Sequence, residues 1–249
     1  MFDNLSIPTI LVSYVALLFS LSVHEASHAT AAYLLEDDTA ASMGRMTINP
    51  IAHIDLLGTV IFPLLGMVTG FPFIGWAKPV PVDPRRLTRR FTQRTGYALV
   101  ASAGPISNLI QALLFLGIMF LVVKAVAPVP YLEYPFFVRA LLAARVENLQ
   151  VLHLSTTSTL FLALLGRLVL INVALALFNL LPLGPLDGAG IVRGLLPWNW
   201  LPKFDRVQPF MGVALIVLAL TGLLGYVLGP VFGVVFYGIE LIARIFLRF

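Results

Sequence analysis

One apolar stretch near the start of the chain contains two histidines and a glutamate. Residues 7–35 are almost continuously apolar, and about 29 residues of helix can cross a bilayer core roughly 30 Å thick. The second half of this stretch carries His24, Glu25 and His28. An ionisable residue at the centre of a span costs roughly 2.5–3.5 kcal/mol even on lenient insertion scales. Three such residues within five positions therefore need a shared purpose.

The spacing of the two histidines predicts a metal site. Residues four apart on an α-helix lie on one face, so His24 and His28 would be about 6 Å apart. Two imidazoles placed in this way can bind one zinc ion, and a glutamate beside the first can act on a water molecule there. The alternative is three chance polar residues on a buried helix, which their combined cost of burial disfavours. The metal interpretation requires a third ligand elsewhere.

Composition places the chain in a membrane and limits the metal ligands. It has 249 residues, of which 59% are hydrophobic and 11% charged, whereas a soluble domain has about 25% charged residues. The chain has no cysteine, which excludes disulfides, iron–sulfur clusters and zinc fingers. A metal must therefore be held by His, Asp or Glu. The net charge of +4 does not indicate nucleic acid binding, because the basic residues lie where membrane topology would place them.

We predict an all-α polytopic membrane protein with about five transmembrane helices. The predicted spans are residues 7–35, 97–126, 160–181, 210–228 and 231–247, the last two separated by Gly229-Pro230. The first is too long for the apolar core of a signal peptide, so we expect it to be retained. We expect one integral-membrane domain over residues 1–249, with a catalytic core at about 8–195 and a C-terminal helical pair at about 207–248.

Several segments between these spans have their own patterns. Residues 56–74 are apolar but interrupted by prolines and glycines, so they form either a short span or a re-entrant segment. Met43–Ile48 alternates like a strand, and the proline-rich residues 75–82 read as extended chain. Residues 128–157 form a loop with a possible surface helix over 136–151.

The basic residues orient the chain in the membrane. If the first span ends in the cytoplasm and residues 56–74 re-enter, 12 of the 16 lysines and arginines are cytoplasmic. Only Arg139 and Arg145 lie in an outer loop, and Lys124 and Arg167 lie near the outer ends of spans. The positive-inside rule therefore favours a re-entrant segment and a site toward the cytoplasm.

This orientation yields a candidate third ligand. Asp187 follows a proline-broken apolar helix and falls at the same cytoplasmic depth as His24 and His28. Taken alone, the Asp187-Gly188 pair is only a turn signal. A His-His-Asp set would leave a fourth position for water, which is the arrangement of a catalytic zinc rather than a structural one.

These motifs together resemble the site-2 proteases, zinc metalloproteases that cut peptide bonds within membranes, and in particular the compact bacterial branch without PDZ or CBS domains. The resemblance covers about residues 8–195. The matching segments are His24-Glu25-Ala26-Ser27-His28, Asn49–Asp55, Gly75–Pro81, Ala103-Gly104-Pro105 with Asn108, and Asn179 through Asp187-Gly188.

The resemblance implies roles for individual residues. His24, His28 and Asp187 would hold one Zn²⁺, Glu25 would be the catalytic base, and Asn179 would lie near the metal. The family usually has glycine where this chain has Ser27, and often a second glycine where it has Ala189. Both replacements are small, so close helix packing should be preserved.

The resemblance also implies partners and a location. The substrates would be membrane-anchored proteins such as anti-sigma factors, or remnant signal peptides, cut in a bacterial inner membrane. The extended segments could pair with an unwound substrate strand. Two alternatives are a metal-ion transporter and a catalytically silent relative that binds membrane segments. His53 and Asp55 would either orient a metal ligand or fix a loop, and the basic residues 85–94 would meet lipid headgroups or a protein partner.

Overall fold

A computed structural model of the protein describes residues 6–69, 75–126, 142, 149 and 154–246. The helices in this part are α1 (Ile7–Leu34), α2 (Thr39–Ser42), α3 (Phe62–Thr69), α4 (Gln93–Val126), α5 (Thr156–Asn179), α6 (Asp187–Leu195), α7 (Leu201–Leu220) and α8 (Leu223–Phe246). A 3₁₀ turn at Pro50–His53 and a π-helical turn at Leu56–Ile61 precede α3.

Four of the described helices, α1, α4, α5 and α8, are long and apolar enough to cross a membrane. The predicted all-α polytopic class is therefore confirmed. Helix α7 overlaps the predicted span at 210–228 but begins at Leu201 in a charged sequence, and it is not among the four. The predicted surface helix at 136–151 lies outside the described residues, apart from positions 142 and 149.

The predicted break between the last two spans is wrong. The chain turns between α7 and α8 at Gly222, whose φ of 75° lies in the left-handed region that favours glycine. Pro230 lies inside α8. A proline is tolerated within a membrane helix because neighbouring groups can satisfy the carbonyl that it frees.

The hydroxyl groups of α1 are compatible with its apolar surroundings. Ser13, Ser22, Ser27 and Thr30 each donate a hydrogen bond of 2.6–2.7 Å to the carbonyl four residues earlier. These bonds use the backbone's second lone pair, so each of these four hydroxyl donors is satisfied within the helix. Ser27, which departs from the family pattern, is therefore accommodated without disturbing α1.

The helices form two packed regions. α4 packs against α1, α5 and α6, and α1 also packs against α5. An apolar cluster joins the second half of α4, the first half of α5, and α8; its buried members on these helices are Leu116, Met119, Phe120, Val123, Leu162, Ala163, Leu165, Val169, Ile239 and Ala243. The histidines of α1 contact the first half of α4, away from this cluster.

Hydrogen bonds join the two ends of the segment that contains the π-helical turn and α3. The Trp76 N–H donates to the Gly58 carbonyl at 3.0 Å, and the Thr59 hydroxyl donates to the Trp76 carbonyl at 2.9 Å. Two residues farther on, the Lys78 N–H donates to the His53 carbonyl at 2.9 Å. The two ends of the segment are therefore adjacent. This supports a re-entrant segment rather than one that crosses the whole membrane.

The predicted strand at Met43–Ile48 is wrong, because these residues form turns and bends. Residues 75–83 carry neither helix nor strand. The alternation in the sequence was misleading because the segment finds no strand partner within the described chain. Arg45, which belongs to it, is buried and donates instead to the Lys78 carbonyl at 2.6 Å.

His53 and Asp55 each hold the local loop in place. The Asp55 carboxylate accepts from the N–H groups of Leu57 and Gly58 and so caps the π-helical turn. His53 is buried, with its Nε2 2.7 Å from the Thr47 carbonyl oxygen. The hydrogen bonds of both side chains stay within this loop, which favours the loop-fixing interpretation.

Asp37 connects the end of α1 to the chain that leads into α4. Its side chain is fully buried and accepts hydrogen bonds from the N–H and hydroxyl of Thr39 and from the Asp83 N–H. The neighbouring Asp38 is 54% exposed and pairs with Arg86 at 2.7 Å.

Replacing Asp37 with alanine is expected to lower the free energy of unfolding by roughly 3 kcal/mol, because it leaves buried donors without their charged acceptor. Chemical denaturation of the detergent-solubilised protein measures this change. Asp38→Ala is the matched control and should cost no more than about 1 kcal/mol, since an exposed ion pair contributes little. Equal losses in the two variants would contradict this account of Asp37.

Candidate metal centre

Three predicted ligands converge at one point. His24 and His28 lie one turn apart on α1, and their Nε2 atoms are 3.1 Å from each other. Asp187, the first residue of α6, places Oδ2 3.2 Å from the His24 Nε2 and Oδ1 3.3 Å from the His28 Nε2. One ligand atom from each residue lies within 4.8 Å of the others.

Close packing of α6 on α4 positions Asp187. A Cβ atom added to Gly190 would lie 3.0 Å from the Tyr97 ring, and one added to Gly194 would lie 3.0 Å from the Arg94 carbonyl oxygen. Side chains at either position would push α6 away from α4. The small residues of α6 therefore hold its first residue against the histidines.

The hydrogen bond of His28 fixes which ring nitrogen faces the site. Its Nδ1 lies 2.8 Å from the Val100 carbonyl oxygen, which can only accept. Nδ1 therefore carries the hydrogen. In the neutral ring, Nε2 then presents a lone pair to the site.

The hydrogen bonds of two asparagines show that His24 also carries its hydrogen on Nδ1. The Asn172 Nδ2 donates to the Leu168 carbonyl at 2.8 Å, so the Asn172 Oδ1 must be the atom that accepts from the Asn108 Nδ2 at 2.7 Å. The Asn108 Oδ1 is then the atom 2.5 Å from the His24 Nδ1. His24 consequently donates from Nδ1 and keeps a lone pair on Nε2.

This arrangement fits a zinc ion. With both rings neutral, two imidazole lone pairs and two carboxylate oxygens face one another, and a bound metal ion would relieve their repulsion. Among the described residues, the buried Oδ2 of Asp187 has no hydrogen-bond partner. Two nitrogens and one carboxylate are ligands that zinc prefers, and they leave a fourth position open.

A cavity of about 550 Å³ opens onto the three ligands. Glu25 also lines it, and its Oε2 accepts a hydrogen bond from the Val80 N–H at 3.0 Å. Asn179 lines the same cavity, but its Nδ2 donates to the Leu175 carbonyl at 3.0 Å. The structure thus brings Glu25 and Asn179 to the metal cavity, and their chemical roles stay predictions.

Two residues near the site were missed in the sequence. Asn172 and Ser20 are fully buried and hydrogen-bond each other at 2.9 Å. Asn172 gave a usable signal, because an amide within an apolar span needs a partner. Ser20 gave none, since a serine is common in such helices and can bond its own backbone.

Several of the basic residues at 85–94 make local contacts. Arg85 pairs with Asp83 at 3.0 Å and holds the pKa of that carboxyl below its ordinary value. Arg94 lies over the Trp198 ring, 4.4 Å from its centroid. Nearby, Arg193 pairs with Asp205 at 2.8 Å and lowers the pKa of Asp205. Contact of this surface with lipid headgroups stays a prediction.

Comparison with known proteins agrees with this geometry. The sequence profile of Peptidase family M50 matches residues 12–221. A Bacillus subtilis protein named "Putative zinc metalloprotease YwhC" is 37% identical over 218 residues, which are 87% of this chain and 83% of that protein. No solved structure matches the chain.

Proposed function

The chain belongs to Peptidase family M50, and from this premise we propose that it is an intramembrane zinc endopeptidase. It would hydrolyse peptide bonds in or near the transmembrane segments of membrane-anchored proteins. The observation that carries the proposal is the convergence of two Nε2 lone pairs and the Asp187 carboxylate beside Glu25, in a bundle of membrane-length helices.

Each protein group has a task in this reaction. A bound zinc ion would supply Lewis acidity, which lowers the pKa of a water molecule toward neutrality. Glu25 would accept the proton of the attacking water and deliver it to the leaving amine. The Val80 N–H holds the Glu25 carboxylate at the cavity. Asn179 would stabilise the negative charge that develops on the carbonyl oxygen, after turning from the Leu175 carbonyl.

The substrate must be unwound before it can react, because the carbonyls of a helix are hydrogen-bonded internally. We propose that the unwound strand lies along residues 76–82. One side of this segment is already paired, since Trp76, Lys78 and Val80 donate to Gly58, His53 and Glu25. Its two prolines have no N–H. The segment would therefore offer the substrate mainly carbonyl acceptors.

The proposed setting is a bacterial inner membrane, as the resemblance to the site-2 proteases implies. The metal would lie toward the cytoplasm, because most of the lysines and arginines lie on that side in the favoured topology. Its partners would be membrane-anchored regulators or remnant signal peptides, cut by regulated intramembrane proteolysis. No role for nucleic acid follows from the charge pattern.

Metal removal tests the proposal. The purified protein is expected to contain about one zinc per chain and to cleave a model transmembrane peptide. A chelator should abolish cleavage, and added zinc should restore it. Full cleavage by the zinc-free protein would contradict the proposal, and zinc without cleavage of any membrane peptide would favour a silent relative. Zinc flux into liposomes would favour a transporter.

A further inference from the structure

A chain of hydrogen bonds runs from the metal site into the helix bundle. It passes from His24 on α1 to Asn108 on α4, then to Asn172 on α5, and returns to α1 at Ser20. Asn108, Asn172 and Ser20 are each 0% exposed. These hydrogen bonds therefore connect α1, α4 and α5.

The Asn108 amide can in principle face His24 in either of two orientations. With Oδ1 toward the imidazole, it accepts from Nδ1–H, and the lone pair of the ring is on Nε2, facing Asp187. With Nδ2 toward the imidazole, it would donate to Nδ1, and the hydrogen of a neutral ring would move to Nε2. A protonated Nε2 cannot bind a metal.

Asn172 selects between these two orientations. Its Nδ2 donates to the Leu168 carbonyl at 2.8 Å, which leaves Oδ1 to face Asn108. The Asn108 Nδ2 must then turn toward Asn172, and the Asn108 Oδ1 toward His24. The carbonyl of Leu168, in the backbone of α5, thereby determines the tautomer of a histidine on another helix.

We propose that Asn172 is a positioning residue of the metal site, which acts through Asn108 to hold His24 in the tautomer that binds zinc. This inference rests on the zinc site of the proposed function. The inference is tested by metal binding and the proposed function by cleavage, so each can fail without the other.

The first experiment is a double-mutant cycle on zinc affinity, measured by competition with a chelator. Asn172→Leu is expected to weaken zinc binding about tenfold or more, the usual effect of removing an outer partner of a ligand. Asn108→Leu should have at least as large an effect. The double variant should bind zinc as Asn108→Leu does, since Asn172 acts only through Asn108. Additive losses would overturn the proposal.

Gln111→Leu is the matched control. Gln111 is a buried amide on α4, three residues after Asn108, and within the described chain neither of its polar side-chain atoms has a hydrogen-bond partner. Its replacement changes the same region of the bundle without touching the hydrogen-bond chain, so zinc affinity should stay within about twofold of the wild type. An effect equal to that of Asn172→Leu would show that general packing is responsible and would overturn the proposal.

A measurement on the unaltered protein covers the case in which Asn172→Leu does not fold. Nitrogen-15 NMR of histidine-labelled, metal-free protein reports which ring nitrogen carries the hydrogen, and His24→Gln identifies the signals of His24. We expect hydrogen on Nδ1 at a pH where the ring is neutral. Hydrogen on Nε2 would overturn the proposal.

Discussion

Replacing Glu25 with glutamine is expected to lower the cleavage of a transmembrane peptide by about 10²–10⁴-fold while zinc stays bound, because the variant loses general-base catalysis alone. Glutamine has nearly the same shape as glutamate, and its side-chain oxygen can still accept from the Val80 N–H. It cannot take a proton from water. The three predicted metal ligands are unchanged. The measurement combines zinc content with the rate of peptide cleavage.

Glu36→Gln provides the matched control for this result. Glu36 is exposed and lies after the end of α1, so the same chemical change is made away from the cavity. Cleavage by this variant should equal that of the wild type. If Glu25→Gln cleaves at the wild-type rate, Glu25 is not the base. If it loses zinc, Glu25 contributes to the stability of the metal site instead.

Replacing Gly104 with alanine is expected to reduce zinc content to near zero. Gly104 lies in the part of α4 that passes directly over the two imidazoles. A Cβ atom there would lie 2.5 Å from the His24 Cε1 and 2.6 Å from its Nε2, and closer still to the His28 Nε2. Because real Cβ contacts are never this short, either the rings or α4 must move. Both movements separate the ligands, and zinc analysis of the purified variant measures the result.

Gly117→Ala separates this steric effect from the general effect of alanine in a helix. Gly117 lies in the same helix, and a Cβ atom there would meet nothing within 4 Å. The substitution should keep full zinc content and stabilise α4 by up to about 1 kcal/mol. If Gly104→Ala also keeps full zinc content, the close approach of α4 to the ligands is not required for binding.

Most of the candidate metal site could be predicted from the sequence, because two of its three residues lie four positions apart on one helix. His24 and His28 are fixed relative to each other by helix geometry alone, and their cost in an apolar span indicates a shared function. Asp187 required one additional step, the use of charge to place distant segments at the same depth. The structure brings all three together.

What the sequence did not reveal depends on contacts between distant segments. In the sequence, Asn172 is an isolated amide within an apolar span. Its partner Asn108 is known only from the packing of α4 against α5. The alternating pattern at Met43–Ile48 does not form a strand. Arg45 in this segment instead donates a hydrogen bond to the Lys78 carbonyl. The helix break was assigned to Pro230 although Gly222 makes the turn, since a proline in a membrane helix need not end it.

The separation of the ligands along the chain has a thermodynamic consequence. His28 lies on the first helix and Asp187 on the sixth, so an ion bound by both would close a loop that includes α4 and α5. Holding such distant residues together costs the unfolded chain much of its conformational freedom. Part of the binding free energy of zinc would therefore appear as folding free energy. The ion that equips the site for hydrolysis would also act as a cross-link for the helix bundle.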